Sequence, residues 1–468
     1  MPSNKIIFSI LFIFTTTLLI TFYHRAIHLD DVWLGEHAYW LAKEGVVRSE
    51  LFRGLLDYES QLFVYHKFFV LNGAWLISLF GWSPYVLKSI GLLYSLIFFI
   101  FVFRYYKNSS QTQCLLFSAL LVSNPVFIEY VFVYRPEVML MSLGFLSFFF
   151  LKKYLESSKW IHLLLSAGLA GLCFYTHLNG LVYIGAGGLT LLLYRKIGPA
   201  LLFGGIATPV AALYFLDVYQ ANAWEPYLSQ FNNDPAVEKR GSWGLVLNLL
   251  EEHKRFFHSP REIGISLLVI PVLALRWKSI FYHKRLELMY VIIISFSLAV
   301  LHDIKTSKYM LLYLPQLLIL VAFALENIYL QVAANWKKGV TVLLGLYFLN
   351  GLVSASILFL KNKNQPAYNQ QITQYMGEKG GNVMAVMPFV FNEIENFRIM
   401  GQHYYVALYE KYTGEPLTTE AFFKDMEQKE IQAILIDEDL LNKLPLPLEY
   451  GNYRCIFQEE EIRVYQKK

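Results

Sequence analysis

The 468-residue chain has few charged residues and few cysteines. Asp, Glu, Lys and Arg make up 16% of it, whereas an average soluble domain carries about a quarter. Three well-separated cysteines, Cys114, Cys173 and Cys455, predict neither a disulfide framework nor a cysteine metal site. The net charge of +4 is small and scattered along the chain, which gives no indication of nucleic-acid binding.

Apolar residues are abundant instead. The chain is 56% hydrophobic and 17% aromatic, with a mean hydropathy of +0.40. Apolar runs of roughly 17 to 22 residues can cross the hydrocarbon core as helices. The sequence therefore predicts a polytopic α-helical membrane protein with about eleven transmembrane helices. These lie near residues 6–23, 84–106, 114–134, 138–151, 160–176, 178–194, 199–216, 263–275, 286–301, 309–328 and 340–360.

Basic residues in the short loops predict the orientation, because cytoplasmic loops are enriched in Lys and Arg. One set of helix ends carries Lys5, Arg104, Lys107, Lys152, Lys153, Lys159, Arg195, Lys196, Arg276, Lys278, Lys284, Arg285, Lys337 and Lys338. The other short loops carry only Arg135, Lys305 and Lys308. This predicts a multi-pass protein of the cell (inner or plasma) membrane with a cytoplasmic N-terminus. The long loops 24–83 and 217–262 then lie outside.

The main alternative topology has a twelfth crossing at residues 62–80, which would reverse the orientation of all the later loops. His66, Lys67 and Asn72 interrupt it, and polar groups in the bilayer core are costly. It is therefore interpreted as an interfacial segment. The run from Lys5 to Phe22 has no small-residue cleavage site, so it is interpreted as a retained anchor.

The composition becomes polar after residue 360, which predicts a membrane domain over 1–360 and an extracytoplasmic α/β domain over 361–468. Helices are expected near 368–376 and 420–428. Strands are expected near 382–390 and 433–437, with 453–457 paired to 462–465. This region contains no glycine-rich phosphate loop and no recognisable catalytic triad, so a binding or structural role is predicted.

An acidic stretch, LDDVWLGEHAYW over 29–40, directly follows the first apolar run. Carboxylates near a bilayer are costly unless they are solvated, paired or used, so Asp30, Asp31 and Glu36 are candidate site residues. In a helix from Val32, aromatic residues would share one stripe and hold the segment at the membrane surface. The alternative is that Asp30 or Asp31 only caps the helix.

Charged residues in two other outer loops are further candidates. Arg135 and Glu137 flank Pro136 in a tight turn, where Glu137 would complete the acidic site and Arg135 would bind phosphate. A structural ion pair is the alternative. Lys305 and Lys308 would bind a phosphate group together with Tyr309, and the two lysines would share a helical face if the helix extends backwards by a turn. Snorkelling at a helix end is the alternative.

Histidines and metal ions complete the set of candidates. His177 and His302 are candidate sugar or phosphate contacts, although a lone histidine at a turn is more often structural. No cluster has a metal-ligand spacing that demands a cation. The three carboxylates of the acidic site could hold one Mg or Mn ion through oxygen.

Residues 30–38, DDVWLGEHA, resemble the acidic signature in the first outer loop of the GT-C glycosyltransferases. The similarity is to the branch of protein mannosyltransferases and bacterial aminoarabinose transferases. Comparable elements are Pro125, the run 134–137, the span 168–180, and Lys308-Tyr309 ahead of Leu314-Pro315. The chain departs from the pattern at Asp31, where Glu is usual, and at Thr176-His177, where Lys or another polar residue is common.

The resemblance implies a membrane glycosyltransferase that uses a polyprenyl-phosphate sugar donor. It would transfer the sugar to a lipid, glycan or protein acceptor at the outer face, by inverting displacement. Asp30 aligns with the family's Asp and would be the base, while Glu36 would orient the acceptor or bind a cation. The competing interpretations are a lipid or glycan transporter (flippase) and a receptor-like scaffold. A transporter should show repeated halves and polar mid-span helices, whereas the charges here concentrate at the outer ends.

Overall fold

The computed structural model describes residues 3–233, 243–301, 305–361, 365–459 and 462–468. The part up to residue 361 is almost wholly helical. Its first helices are α1 Asn4–Tyr23, α2 Leu29–Glu44, α3 Lys67–Phe80, α4 Pro84–Tyr106, α5 Gln111–Val122, α6 Pro125–Tyr130, α7 Pro136–Ser157, α8 Trp160–Thr176, α9 Leu181–Leu193 and α10 Ile197–Ala212. The later ones are α11 Leu216–Gln220, α12 Trp224–Asn232, α13 Gly244–Leu250, α14 Lys254–Phe257, α15 Pro260–Leu275, α16 Trp277–His283, α17 Arg285–Leu301, α18 Leu314–Gln331 and α19 Ala334–Leu360. Short 3₁₀ helices occur at Leu178–Gly180, Leu213–Phe215, Glu251–His253 and Ser307–Leu312.

Six helical stretches of the described chain are long and apolar enough to cross a membrane: α1, α4, α7, Ile197–Gln220, α18 and α19. A seventh is added if Gly244–Phe257 and Pro260–Leu275, which meet at a bend of 91°, form one span. The polytopic helical fold is therefore confirmed. Each of the eleven predicted segments contains a helix, but several are shorter than a full span, so eleven crossings remain a prediction.

Two predicted spans are broken by local sequence signals. The segment predicted over 114–134 stops at Val122, because Asn124 caps a new helix. Its side-chain oxygen accepts from the backbone N–H groups of Val126 at 3.0 Å and Phe127 at 3.2 Å, and Pro125 occupies the first helical position. The segment predicted over 309–328 begins as a 3₁₀ helix and becomes α18 only at Leu314.

The run 62–80 contains α3, a helix of 14 residues. At 1.5 Å per residue α3 extends about 21 Å, which is less than the roughly 30 Å of a hydrocarbon core. It cannot cross the membrane alone, and it packs against α2.

Helix α2 begins three residues earlier than predicted. Its N-cap is His28, whose backbone N–H donates to Asp31 Oδ2 at 2.9 Å and completes a capping box. Neither Asp30 nor Asp31 is the N-cap. The helix ends at Gly45, which adopts φ +76°, a left-handed conformation that glycine reaches without strain.

The two long loops dock on one another at the same end of the bundle. Gln230 accepts from the backbone N–H of Phe63 at 2.7 Å and donates to the carbonyl of Gln61 at 2.9 Å. Lys67 Nζ lies 2.5 Å from a carboxylate oxygen of Asp217. These contacts fix the second loop beside the acidic helix α2 and its neighbour α3.

The C-terminal part forms a six-stranded mixed sheet with helices, so the predicted small α/β unit is confirmed. The strands are β1 Asn382–Ala385, β2 Arg398–Gly401, β3 Ile431–Asp437, β4 Glu449–Tyr450, β5 Tyr453–Glu459 and β6 Ile462–Lys467, in the order β2-β1-β3-β6-β5-β4. The helices are α20 Gln365–Thr373, α21 Val390–Glu393, α22 Gln402–Thr413, α23 Thr419–Gln428 and α24 Glu438–Leu441, with a 3₁₀ helix at Met387–Phe389. Strand β1 pairs in parallel with β2 and β3, and the remaining pairs are antiparallel.

This unit packs directly on the first long loop. The backbone N–H of Gly401 donates to the carbonyl of Leu51 at 3.1 Å. The ring of Tyr404, on α22, stacks on Phe52 with centroids 4.2 Å apart. Both long loops and the C-terminal unit therefore meet at one end of the helical bundle.

Candidate active site

A three-residue charge cluster lies at the start of α2 and α7. Arg135, the N-cap residue of α7, contacts a carboxylate oxygen of Asp30 through one guanidinium nitrogen. Its other two nitrogens donate to the two oxygens of Glu137 at 2.8 and 3.1 Å. The guanidinium thus bridges two carboxylates, a geometry that suits its planar fork of donors. The side chains are only 16%, 11% and 1% exposed for Asp30, Arg135 and Glu137.

The surroundings keep Asp30 ionised. Burial opposes its ionisation, but the hydrogen bond with His28 and the positive charge of Arg135 outweigh burial. They hold the pKa of Asp30 well below its usual range. At neutral pH this carboxylate is therefore negative.

Asp31 has a different environment from its neighbour and no exposed surface. One carboxylate oxygen accepts from the backbone N–H of Tyr134 at 2.6 Å, and the other accepts from that of His28. Lys88 Nζ lies 3.5 Å from the second oxygen. All these contacts are to the protein itself, so Asp31 positions the turn before α7. A direct catalytic contact by Asp31 does not fit this placement.

Glu36 also forms hydrogen bonds with the loop that follows α2. Its carboxylate accepts from the Ser49 hydroxyl at 2.6 Å, the backbone N–H of Glu50 at 2.7 Å and the Trp40 indole at 3.1 Å. Burial raises the pKa of Glu36 to about 7, although these hydrogen bonds oppose the rise. This placement does not fit the predicted role of Glu36 in orienting the acceptor or binding a cation.

Lys308 and Lys305 are separated by the fold. Lys308 is partly buried, and the charges of Arg135, Glu137 and Asp30 act on its ammonium group. It makes no ion pair within 4.0 Å to any residue that the structure describes. Burial lowers the pKa of Lys308, Arg135 lowers it further, and the two carboxylates oppose this.

Lys305 instead lies 3.1 Å from Glu252 and donates to the Ala299 carbonyl at 2.9 Å. The expected shared helical face with Lys308 is wrong, because the 3₁₀ helix begins only at Ser307, with Thr306 extended before it. Tyr309 lies beside the cluster, near Glu137 and Arg135, and its hydroxyl is close to Asn179.

A pair of histidines borders the cluster. The ring of His177, the C-cap residue of α8, stacks on His66 with centroids 4.3 Å apart. Both side chains are partly buried and lie near Arg135, and desolvation lowers the pKa of His177 to about 4, so it is neutral at pH 7. His66 was not among the predicted site residues. His302 lies outside the described residues.

Tyr404 is the second residue that sequence reasoning missed. Its ring packs against Trp33 on α2, with centroids 5.7 Å apart. Burial raises the pKa of its hydroxyl, and the charges of Asp30, Arg135 and Glu36 act on it as well. The C-terminal unit thus contributes a side chain to the surroundings of Asp30. No local pattern in the sequence indicates this contact, since it joins residues far apart in the chain.

The three-carboxylate cation site expected from the sequence is not assembled in the described residues. No group of three or more His, Cys, Asp or Glu side chains there has an arrangement suited to a metal ion. Arg135 stands between Asp30 and Glu137, Asp31 lies beside Lys88, and Glu36 is held by its loop. The residues present therefore do not fit a bound divalent cation at this place.

The bundle, the two docked loops and the C-terminal sheet define a polytopic membrane protein with the GT-C fold, as the sequence resemblance predicted. Solved structures share this fold over almost the whole chain. ArnT from Cupriavidus metallidurans in the apo state has a TM-score of 0.65 and 13% identity, covering 99% of this chain and 98% of ArnT. ArnT bound to undecaprenyl phosphate gives 0.66 and 11%, with the same coverage.

A more distant similarity is to archaeal oligosaccharyltransferase AglB from Archaeoglobus fulgidus, solved with an inhibitory peptide and a dolichol-phosphate. The TM-score is 0.52 at 9% identity, covering 93% of this chain and 70% of AglB. No protein-family model matches the chain, and no curated protein sequence matches it. At these identities the likeness establishes the fold alone.

Proposed function

We propose that the protein is a glycosyltransferase that moves a sugar from a polyprenyl-phosphate donor to an acceptor at the outer face of the membrane. The observation that carries this proposal is the buried Asp30–Arg135–Glu137 cluster, with Lys308 beside it and free of any ion pair among the described residues. Buried charges at the end of a membrane bundle are costly unless they have a use. Similar structures bound to undecaprenyl phosphate and dolichol-phosphate support the choice of donor.

In the proposed reaction Asp30 is the general base. An acceptor hydroxyl attacks the anomeric carbon while its proton passes to a carboxylate oxygen of Asp30. The bond between the anomeric carbon and the phosphate oxygen breaks, and its electron pair stays on the departing lipid phosphate. Attack opposite to the leaving group inverts the configuration at the anomeric carbon.

Arg135 and Lys308 supply the positive charge for the donor. The phosphate gains negative charge as the sugar leaves, and cations fixed in a water-poor site stabilise that charge strongly. In this proposal Tyr309 and the neutral imidazole of His177, which border the cluster, form hydrogen bonds with oxygen atoms of the donor. Glu137 holds the guanidinium in place. No step of the proposed reaction involves a metal ion, because Arg135 occupies the space between the carboxylates of Asp30 and Glu137.

The topology belongs to the same proposal. Both long loops and the C-terminal unit meet at one end of the bundle, and the basic-residue bias favours the opposite end as cytoplasmic. The N-terminus is then cytoplasmic and the C-terminal unit extracytoplasmic, in an inner or plasma membrane. The transporter alternative gains no support, since the similar structures are those of transferases.

The test is a transfer assay on membranes that contain the full chain. A panel of polyprenyl-phosphate sugars with radiolabelled sugar groups is supplied, and labelled products are separated as lipid, glycan and protein fractions. We expect label to pass from one donor to one fraction, and to stay on the donor in membranes with D30N at equal expression. Movement of an intact labelled donor across vesicle membranes without bond cleavage would instead favour the transporter.

A further inference from the structure

Arg255, in the second long loop, is the largest fully buried side chain among the described residues. It belongs to α14, in the helical segment that meets α15 at a bend of 91°. Its side chain has no exposed surface, and a buried guanidinium is costly unless acceptors and opposite charges surround it. The proposed reaction gives this residue no role. Its partners therefore indicate what its burial achieves.

The hydrogen bonds of Arg255 join two separate segments of the chain. Its Nε donates to Glu252 Oε1 at 2.6 Å, within the same loop. Its Nη1 donates to the backbone carbonyl of Thr306 at 2.8 Å, 51 residues further along. Thr306 is the N-cap residue of the 3₁₀ helix Ser307–Leu312, whose second residue is Lys308. Arg255 therefore fixes the backbone two residues before the lysine that is proposed to bind the donor phosphate.

A second contact of Arg255 reaches the residue that follows Lys308. The guanidinium carbon lies 5.9 Å from the ring centroid of Tyr309, and Lys308 Nζ lies 5.3 Å from the same centroid. Both distances are within the range of cation–π interactions. A 3₁₀ helix of six residues has weak hydrogen-bond geometry of its own, so contacts from outside determine where it lies. Arg255 thus holds the chain on both sides of Lys308.

The basic residue next to Arg255 has a different environment. The side chain of Lys254 is 46% exposed, and its Nζ lies 2.5 Å from a carboxylate oxygen of Glu251 in the same loop. An exposed pair of this kind contributes little to stability. Lys254 is therefore a matched control for Arg255, since it carries the same charge one residue away but points to solvent.

We propose that Arg255 is a positioning residue for Lys308, which it aligns with the donor phosphate by holding the Thr306 carbonyl and the ring of Tyr309. The second long loop then takes part in donor binding without touching the donor. A fixed ammonium binds phosphate better than a mobile one, because less conformational entropy is lost on binding. The inference rests on the proposed transferase function and names a residue that supports its donor site.

Binding is tested with the full chain in lipid nanodiscs and undecaprenyl phosphate as the probe. R255M keeps an unbranched side chain but removes both hydrogen bonds, and we expect it to raise Kd about tenfold. R255K should recover part of the affinity, because lysine retains one donor for the Thr306 carbonyl but lacks the planar fork of arginine. K254A should bind the probe as the wild type does.

A double-mutant cycle with Lys308 separates positioning from a merely structural role. If Arg255 acts through Lys308, R255M should cause no further loss of affinity in a K308A chain, because the residue that it positions is gone. A general loss of structure would lower the affinity by the same factor in both chains. Where R255M fails to fold, R255K is used in the same cycle, with an expected loss of about threefold beside Lys308 and none in K308A.

The outcomes distinguish this inference from the proposed function. Equal losses in both chains, or an unchanged affinity in R255M, would overturn the positioning role and leave the transferase function in place. An unchanged affinity in K308A would overturn the inference together with the donor role of Lys308. The expected cycle without transfer from any donor would overturn the transferase function and leave Arg255 as the positioning residue of a lipid-phosphate site.

Discussion

The carboxylate of Asp31 accepts a hydrogen bond at 2.6 Å from the backbone N–H of Tyr134, the residue just before Arg135. Its neighbour Asp30 contacts the guanidinium of Arg135 itself. Two adjacent acids of α2 therefore hold the same turn, one through the main chain and one through a side chain. The side chain of Asp31 has no exposed surface, whereas that of Asp30 is 16% exposed, and this difference favours Asp30 over Asp31 as the proposed base.

The first prediction separates these two acids. D30N keeps the shape of the side chain but removes its basicity, and loss of a general base slows transfer about a hundred- to ten-thousand-fold. D30N also removes the ion pair with Arg135, so the unfolding temperature should fall as well. Single-turnover transfer and a thermal unfolding curve on the purified protein measure both quantities.

D31N is the matched control for that experiment. It leaves Lys88 and Arg25 buried without a countercharge, and breaking a buried pair costs about 3–5 kcal/mol of stability. We expect a lower unfolding temperature and less folded protein. If D31N is as stable as the wild type but inactive, while D30N is active, the roles of the two residues are reversed.

The second prediction concerns Lys305 and Lys308, which lie between α17 and α18. K308A should weaken donor binding and slow transfer, because the ammonium lies near the cluster and makes no ion pair with any residue that the structure describes. K308R should restore only part of the activity, since a planar guanidinium differs in shape from a compact ammonium. Donor affinity is measured in nanodiscs by competition with unlabelled polyprenyl phosphate.

K305A is the control for Lys308. Lys305 pairs with Glu252, so its removal should destabilise the second long loop and leave the donor affinity of the folded protein unchanged. Equal losses of donor affinity in K305A and K308A would place the phosphate between the two lysines and contradict the assignment to Lys308 alone.

The third prediction is a dependence of stability on pH from Glu36. Its pKa is about 7 in the folded protein against an ordinary value of 4.5. Between these values the unfolded chain loses the proton while the folded chain keeps it. The free energy of unfolding therefore falls as the pH rises through this window, by about 1.4 kcal/mol for each unit of pKa difference.

E36Q should remove this slope, because the side chain stays neutral at every pH. Unfolding temperatures recorded from pH 4.5 to 8 test it. E44Q, on the same helix, is the control, since the pKa of Glu44 is lowered by its hydrogen bond with Arg48 and does not contribute in that window. A slope that survives E36Q and disappears in E44Q would contradict the assignment.

The fourth prediction tests the topology. Arg454, whose side chain is 68% exposed, is replaced by cysteine in a chain with Cys455 changed to serine. An impermeant thiol reagent should label this cysteine in intact cells if the C-terminal unit is extracytoplasmic. Labelling that requires opened cells would reverse the orientation and imply an even number of crossings.

Periodicity and composition predict most of the bundle, because the start and the end of a helix depend mainly on its own local sequence. The helix Trp160–Thr176 has the predicted limits, and the paired strands at 453–457 and 462–465 form as expected, with Phe457 opposite Val464. The break at Asn124 was missed because an apolar run hides a capping signal. Strand β2 and helix α22 were missed because short or weakly patterned segments depend on tertiary packing.

The candidate site, too, could be predicted from the sequence only in part. Asp30, Arg135, Glu137 and Lys308 were singled out because they carry charge between apolar runs, and in the structure their charges lie near one another, while their functional roles stay predictions. Adjacent residues on a helix point about 100° apart, so the sequence could not tell that Asp30 faces the cluster and Asp31 faces the turn. His66 and Tyr404 come to the site from distant parts of the chain. Their contacts with His177 and Trp33 cannot be predicted from a local sequence pattern.

Helix α2 is among the first segments to be synthesised. The face of α2 that contains Trp33 is covered only by the C-terminal unit, which is synthesised last. Until α22 has been translated and folded, Trp33 and Phe52 lack the ring of Tyr404. A chain that ends before α22 therefore leaves the rings of Trp33 and Phe52 uncovered beside the charge cluster. The packing of α2 is thus completed only when the C-terminal unit has folded.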